Sequence, residues 1–358
     1  MSERKRTLKG SSSNALVLTE PSTAAFEVSH SKIKLARRCL KAYEYRYLRK
    51  LQKRVKSRPL IVGTLVHSCL EMFFRDGHYL PAITEWKKGE FTKMFKEEQA
   101  LHADVIPLAK QLIRGYIKNW EHTGLTMVWV EKDFRVEVAP GIFLVGKIDG
   151  KARENKRITW LVEHKTCKNM PGEEVRIFDT QVLLYNAALH LIGEEPTNGV
   201  IWDYLRTKLP TRPKLLAKGD ALSVAKNIDT TREVFEREIR RHGFNVAGYA
   251  DILEALDSKR DQFYRQIKLP MNKGMGQVIL DEVVMTARLM QALEAMYHSG
   301  TNCMSRNLTR DCSWCDFSSL CHAELRGEDT SFLMKHDYIV RVKHGDQKES
   351  RIIEVDTE

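Results

Sequence analysis

Ile158–Cys167 reads ITWLVEHKTC, and shortly before it Gly146–Gly150 reads GKIDG. The first stretch alternates as a strand does. Leu161, Glu163 and Lys165 project to one side, and Trp160, Val162 and His164 to the other. A carboxylate and an ammonium on an otherwise apolar strand are costly to bury without pairing or function. An isolated E-x-K is more often a cross-strand ion pair on a solvated face. Here, however, the preceding strand ends at Asp149, and a meander can bring that residue beside Glu163. Two converging carboxylates suit Mg²⁺ or Mn²⁺, which prefer oxygen ligands. An ion held there can bind a scissile phosphate and acidify a water. Lys165 is then placed to orient that water or to offset charge developing on the phosphate.

Working outward, the spacing predicts an α/β core. EKDFRVEVA (131–139) and IFLVGKIDGKA (142–152) flank Pro140-Gly141 as a hairpin, and ITWLVEHKT follows as a third strand. DTQVLLYNAALHLIG (179–193) reads as a helix closed by Gly193, and GVIWDYLRT (199–207) as a fourth strand. Upstream, Ser29 or Ser31 caps a helix through Ile33, Leu35 and Ala36, and VGTLVHSCLEMFF reads as a helix entered after Gly63. Amphipathic stretches make a helical insertion over about 75–125. Residues 1–25 read as a flexible tail, 26–325 as the main domain, and 326–358 as an extension. Within that extension DYIVRVKHG and SRIIEVDTE suggest a terminal hairpin.

The chain of 358 residues carries 58 Lys and Arg against 47 Asp and Glu, a net +11. Such an excess points to an anionic partner, nucleic acid first. No apolar run approaches the ~20 residues that cross a membrane, so no membrane partner is expected. The N-terminus lacks a secretory pattern, which points to the cytoplasm. Basic residues interleave with Tyr43, Tyr45 and Tyr47 in ARRCLKAYEYRYLRKLQKRVKSR (36–58), a pattern that can track a backbone and stack bases, or place the tyrosines partly in the core. His67 sits on the second helix with Glu71 one turn on. Gln181 and Tyr185 share a face of the helix after the E-x-K strand. Each of these is unremarkable alone: a boundary histidine, an ordinary helix surface.

Near the chain end DCSWCDFSSLC (311–321) packs three of the seven cysteines as C-x2-C-x5-C. In a reducing compartment these read as ligands of a metal or cluster rather than disulfide partners. Four thiolates are wanted. Cys303 would complete a wholly local set, and tetrahedral thiolates also bind Zn²⁺.

Together GTLVH, GKID, EHK and QVLLY give the order G-x-x-x-H, D, E-x-K, Q-x-x-x-Y. This resembles the RecB-type branch of the PD-(D/E)XK nuclease superfamily, over about Ser29 to Cys321. The resemblance implies a restriction-endonuclease-like fold, a mixed central sheet flanked by helices. It implies that His67, Asp149 and Glu163 bind divalent metal and that the His164 backbone carbonyl completes the site. It makes Lys165 the catalytic lysine and has Gln181 and Tyr185 position DNA. The proline that names the superfamily is replaced here by Ile148. Iron–sulfur members of the branch, among them CRISPR-associated RecB-like nucleases and AddB-type subunits, place one cysteine early and three after the nuclease core. Cys39 fits the early position, although Leu40 stands where a proline often follows. Cys39, Cys312, Cys315 and Cys321 would then hold a [4Fe–4S] cluster. Such a staple would join the two ends of the domain across a loop long enough to be worth on the order of 5 kcal/mol.

The expectation is therefore a Mg²⁺- or Mn²⁺-dependent deoxyribonuclease, foremost a single-strand exonuclease of DNA recombination or processing, acting on single-stranded DNA or free ends. Its stand-alone organisation resembles versions carried by phages and CRISPR loci. The alternative is a nucleic-acid-binding or redox-responsive iron–sulfur protein with a vestigial nuclease site.

Overall fold

The computed structural model describes residues 25–341 apart from 156, 173–178, 196, 226 and 302. Its centre is a six-stranded mixed sheet. The strands are β1 (Phe26–Val28), β3 (Leu125–Ala139), β4 (Ile142–Glu154), β5 (Ile158–Cys167), β6 (Gly199–Arg206) and β7 (Tyr264–Pro270). A separate two-stranded ribbon joins β2 (Leu51–Lys53) to β8 (Tyr338–Val340). The helices are α1 (His30–Arg38), α2 (Leu40–Tyr43), α3 (Arg58–Asp76), α4 (Leu80–Gly89), α5 (Lys96–Leu101), α6 (Val105–Glu121), α7 (Thr180–Leu191), α8 (Arg232–Arg241), α9 (Ala250–Asp257), α10 (Lys273–His298), α11 (Ser318–Leu325) and α12 (Ser331–Asp337).

The hairpin forms as its turn residues dictate. Gly141 takes a left-handed φ of 75°, and its N–H donates to the Glu137 carboxylate at 2.9 Å. β3 lies antiparallel along one edge of β4. The other edge is shared: β1 runs parallel to Ile142–Leu144, and β5 runs antiparallel to Gly150–Glu154. β5 then pairs in parallel with β6 from Trp160 to Cys167, with α7 as the crossover. Gly199 opens β6 where a Cβ would lie 2.3 Å from the Leu269 carbonyl, so only glycine fits between β5 and β7 there.

Both faces of the sheet are covered. α3 and α6 pack Leu65, Leu112 and Ile113 onto Val162 and Ile201. α7 and α10 pack Leu184 and Val283 onto Leu161, Val200 and Trp202. With a core on each side, β5 and β6 read as near-continuous apolar runs, and a polar residue within them stands out.

Several expectations need correction. α3 begins at Arg58 with Pro59 in its first turn, so Gly63 lies inside the helix rather than at its entry. β1 and β7 escaped notice, β1 for shortness and β7 because YRQIKLP has no clean alternation. Tyr338–Val340, expected in a terminal hairpin, pairs with β2, while the other arm of that hairpin lies outside the described residues. So does nearly all of the expected N-terminal tail. Tyr43 and Tyr45 are fully buried and donate to Glu294 and Glu324, which takes both out of base stacking.

Candidate active site

The site lies where β4 and β5 part. Their pairing stops at Gly150–Val162. One residue further the ladder would match Asp149 with Glu163; instead Asp149 Oδ2 accepts the His164 N–H at 2.8 Å. The carboxylate thus satisfies a backbone donor that the diverging strand has left behind. Asp149 Oδ1 faces the other way, 3.6 Å from His67 Nδ1. His67 comes from α3, which approaches β5 so closely that a Cβ on Gly63 would sit 3.4 Å from Thr166 Oγ1.

Glu163 and Lys165 emerge on the opposite face of β5 from His164, toward α7. Lys165 Nζ donates to Glu163 Oε1 at 2.5 Å and to Gln181 Oε1 at 3.3 Å. Gln181 Nε2 donates to the same Glu163 oxygen at 2.8 Å and lies 3.4 Å from the Tyr185 hydroxyl. Asp179 caps α7 by accepting the Gln181 N–H, which fixes the turn that carries Gln181. Glu163, Lys165, Gln181 and Tyr185 are thus linked side by side, with Asp149 close enough to Glu163 for their charges to interact. Glu71 is not among them; it pairs with Arg75 at 3.1 Å.

The electrostatics follow from crowding. Burial, and after it the Asp149 charge, push the Glu163 carboxyl up to about 7. Burial also raises Asp149, although His67 opposes it. Burial works against a charged His67, but the Glu131 carboxylate 3.8 Å away and the Asp149 charge outweigh that and hold its pKa above the ordinary value. Three carboxylates are crowded together here with Lys147, Lys165 and His67 as their counter-charges, and their oxygens are a donor set suited to a divalent cation.

Glu131 is the residue that spacing alone missed. It stands on β3, where the sequence reading makes it only the first residue of a hairpin strand. Its carboxylate joins His67 and Asp149 in a group whose ligand atoms all lie within 4.8 Å of one another. An open cavity of about 450 Å³ runs over His67 and Glu131, bordered by Gly63, Thr64, Glu71 and Lys147.

Behind β5 sits a wholly buried polar chain. Tyr116 donates to Asp203 Oδ2 at 2.6 Å, and its oxygen lies 3.1 Å from His164 Nε2. The hydroxyl proton is committed to Asp203, so the His164 bond is formed by Nε2–H donating to the tyrosine oxygen. Burial holds His164 neutral and raises Asp203 to about 7. This chain anchors the backbone segment whose N–H holds Asp149.

The cysteines meet at the far end of α1. Cys39 ends that helix, and with Cys312, Cys315 and Cys321 it lines a small cavity of about 30 Å³ closed by Ala42, Tyr45 and Phe317. Cys303 is not part of it; its thiol points to the Leu293 carbonyl at 3.4 Å. Among the described residues only His67, Glu131 and Asp149 form a group of three ligand atoms within 4.8 Å, so no three of the sulfurs are that close. Of the two aromatic side chains within the late cysteine segment, Trp314 is largely exposed, whereas Phe317 is buried.

No helix among the described residues is long and apolar enough to cross a membrane. A search of curated proteins returned no match. Among solved structures, the crystal structure of SSO0001 is similar at 15% identity, covering 79% of this chain and 94% of the other, with a TM-score of 0.29. The model of the PD-(D/E)XK nuclease superfamily matches residues 27–322, most of the chain and every residue of the site just described. The chain belongs to the PD-(D/E)XK nuclease superfamily.

Proposed function

We propose that this nuclease is a metal-dependent deoxyribonuclease acting on single-stranded DNA from free ends. The observation that carries the reading is the parting of β4 and β5. It sets Asp149, Glu163 and Lys165 around one pocket, with His67 delivered from α3. Asp149, Glu163, His67 and the His164 carbonyl are the ligands of Mg²⁺ or Mn²⁺ in this reading. Oxygen donors dominate the set, which fits either ion, and the imidazole favours Mn²⁺. Bound there, the ion would carry the scissile phosphate and acidify the attacking water.

The protein's own groups do the rest. Glu163 and Gln181 together hold the Lys165 ammonium near the pocket, where it can meet a phosphate oxygen and offset its charge. Gln181 is the group that would meet the DNA strand in this reading; the Tyr185 ring is buried, so its hydroxyl acts through the Gln181 amide, 3.4 Å away. The +11 charge supplies attraction to phosphate that weakens steeply with salt.

The cysteine cavity belongs to the same proposal, as the seat of a [4Fe–4S] cluster held by Cys39, Cys312, Cys315 and Cys321. Tetrahedral zinc would draw four sulfurs to about 3.8 Å from one another. Cys303 stays outside the set in this reading, its thiol turned to the Leu293 carbonyl.

The test is cleavage of end-labelled single- and double-stranded DNA, linear and circular, with Mn²⁺ or Mg²⁺. Release of nucleotides from linear single strands, absent with EDTA and absent for Asp149→Asn, is expected. Cleavage that survives in Asp149→Asn would overturn the assignment. Cleavage of circular single strands would replace the exonuclease by an endonuclease.

A further inference from the structure

We infer that Glu131 is itself a ligand of the divalent ion, and that β3 holds a strained backbone to supply it. The inference rests on the metal-dependent reading above and adds a residue to it.

Val130 pairs with Gly150 and Lys132 with Ile148, so Glu131 and Asp149 face each other across the two strands. Like charges directly opposite on neighbouring strands repel. Between its two paired neighbours Glu131 also adopts φ 48°, a left-handed conformation that side-chain-bearing residues rarely take within a strand. Two unfavourable features thus coincide at one residue, at the edge of the pocket.

Both are explained if a cation sits between the carboxylates. Glu131 Oε1 is 3.8 Å and Asp149 Oδ1 3.6 Å from the same atom, His67 Nδ1. Around an octahedral ion with bonds of about 2.1 Å, neighbouring ligand atoms lie about 3 Å apart and opposite ones about 4.2 Å. The three atoms need to shift only slightly to reach that arrangement. The second Glu131 oxygen is held by Lys147 Nζ at 2.9 Å. That contact orients the carboxylate and leaves Oε1 for the ion, as hydrogen-bonded carboxylate ligands commonly are. A glutamate kept only to pair with Lys147 would need neither the strained φ nor the approach to Asp149.

The strain makes the idea separable from a structural role. Glu131→Gly removes the carboxylate and tolerates φ 48°, so its metal-free thermal midpoint should equal or exceed that of the wild type. Its Mn²⁺ affinity, measured by titration calorimetry and by the Mn²⁺ electron paramagnetic resonance signal, should fall at least about tenfold. Glu131→Gln, which keeps the shape, should lose affinity to a similar extent. If both variants bind Mn²⁺ as the wild type does, Glu131 is not a ligand, and the metal site of His67, Asp149 and Glu163 stands without it. A lower midpoint in Glu131→Gly with affinity intact assigns Glu131 a purely structural pairing and likewise overturns the inference. Wild-type protein that binds no Mn²⁺ would overturn the metal-dependent reading itself.

Discussion

The carboxylate pocket and the cysteine cavity are two ligand sets in one domain, built on opposite principles. The pocket sits in the middle of the sheet, and its groups already have partners. Asp149 holds a backbone N–H, Glu163 holds Lys165 and Gln181, and Glu131 holds Lys147. The cavity gathers one residue from the end of α1 and three from a segment near the chain end, where the sulfurs meet only weak partners such as the Asn307 N–H, 3.5 Å from Cys39 Sγ. The pocket is therefore preorganised by strands and internal ion pairs, whereas at the cavity the two chain segments meet through contacts of Tyr45, Lys41 and Arg49 with Glu324, to which a cluster would add a covalent staple. Losing a ligand from the first should cost chemistry. Losing one from the second should cost the fold.

The sharpest way to break this contrast is Asp149→Asn. Cleavage should fall by at least about 10⁴-fold, measured as the single-turnover rate on labelled single-stranded DNA. Metal-free stability should not fall with it. Burial raises the Asp149 pKa, so near neutral pH the ionised carboxylate is a destabilising group unless a metal is bound. The amide can still accept the His164 N–H. A thermal midpoint well below that of the wild type would show that the pocket, too, is a structural element.

The opposite pattern is expected for Cys39→Ser. If a cluster bridges α1 to Cys312, Cys315 and Cys321, its loss should remove about 5 kcal/mol of stability and bleach absorption near ~400 nm in anaerobically purified protein. The rate per folded molecule should change far less. Cys303→Ala, outside the cavity, should keep both colour and stability. Bleaching by Cys303→Ala but not by Cys39→Ser would restore the local four-cysteine set.

The same contrast explains what the sequence made legible. Asp149, Glu163, Lys165, Gln181 and Tyr185 lie on consecutive elements, and two periodicities, of strand and helix, suffice to bring them together. The hairpin, β5, α7 and β6 were readable for the same reason. The E-x-K pair stood out because β5 is apolar on both faces. Glu131 was hidden because a left-handed φ within a strand leaves no mark in an alternating pattern. β1 and β7 were hidden because a three-residue strand and an edge strand carry too little periodicity. The burial of Tyr43 and Tyr45 depends on α10 and α11, more than two hundred residues away, which no local pattern can report. The joining of Cys39 to the late cysteines is equally non-local, and only the family resemblance suggested it.

A smaller effect is expected behind the pocket, where the two principles meet. Tyr116→Phe removes the hydroxyl that links His164 to Asp203. It leaves a wholly buried carboxylate with one partner fewer, at a cost of about 1–3 kcal/mol. Since His164 N–H holds Asp149, Mn²⁺ affinity should weaken by a few-fold as well. Lost stability with unchanged metal affinity would confine the chain to packing.

The smallest change is a pH dependence, and it comes from the same buried pair. Asp203 has a folded pKa raised to about 7 by burial, against hydrogen bonds from Tyr116 and Gln266 that lower it. Its folded form therefore binds a proton more tightly than its unfolded form, so its contribution to stability declines as pH rises from about 4 to about 7. His164 acts in the opposite sense. Burial depresses its pKa, so the unfolded chain takes up the proton first, and stability rises with pH until the unfolded imidazole is neutral, at about 6.5. In the wild type the two slopes oppose each other between about pH 5 and 6.5. Asp203→Asn removes one of them and keeps an oxygen for Tyr116 and Gln266. Denaturant unfolding of metal-free protein at a series of pH values should then show stability rising more steeply over that interval than in the wild type, by up to one proton's worth of slope. An unchanged slope would mean that Asp203 stays ionised throughout, its charge held by Tyr116 and Gln266 more strongly than burial opposes it.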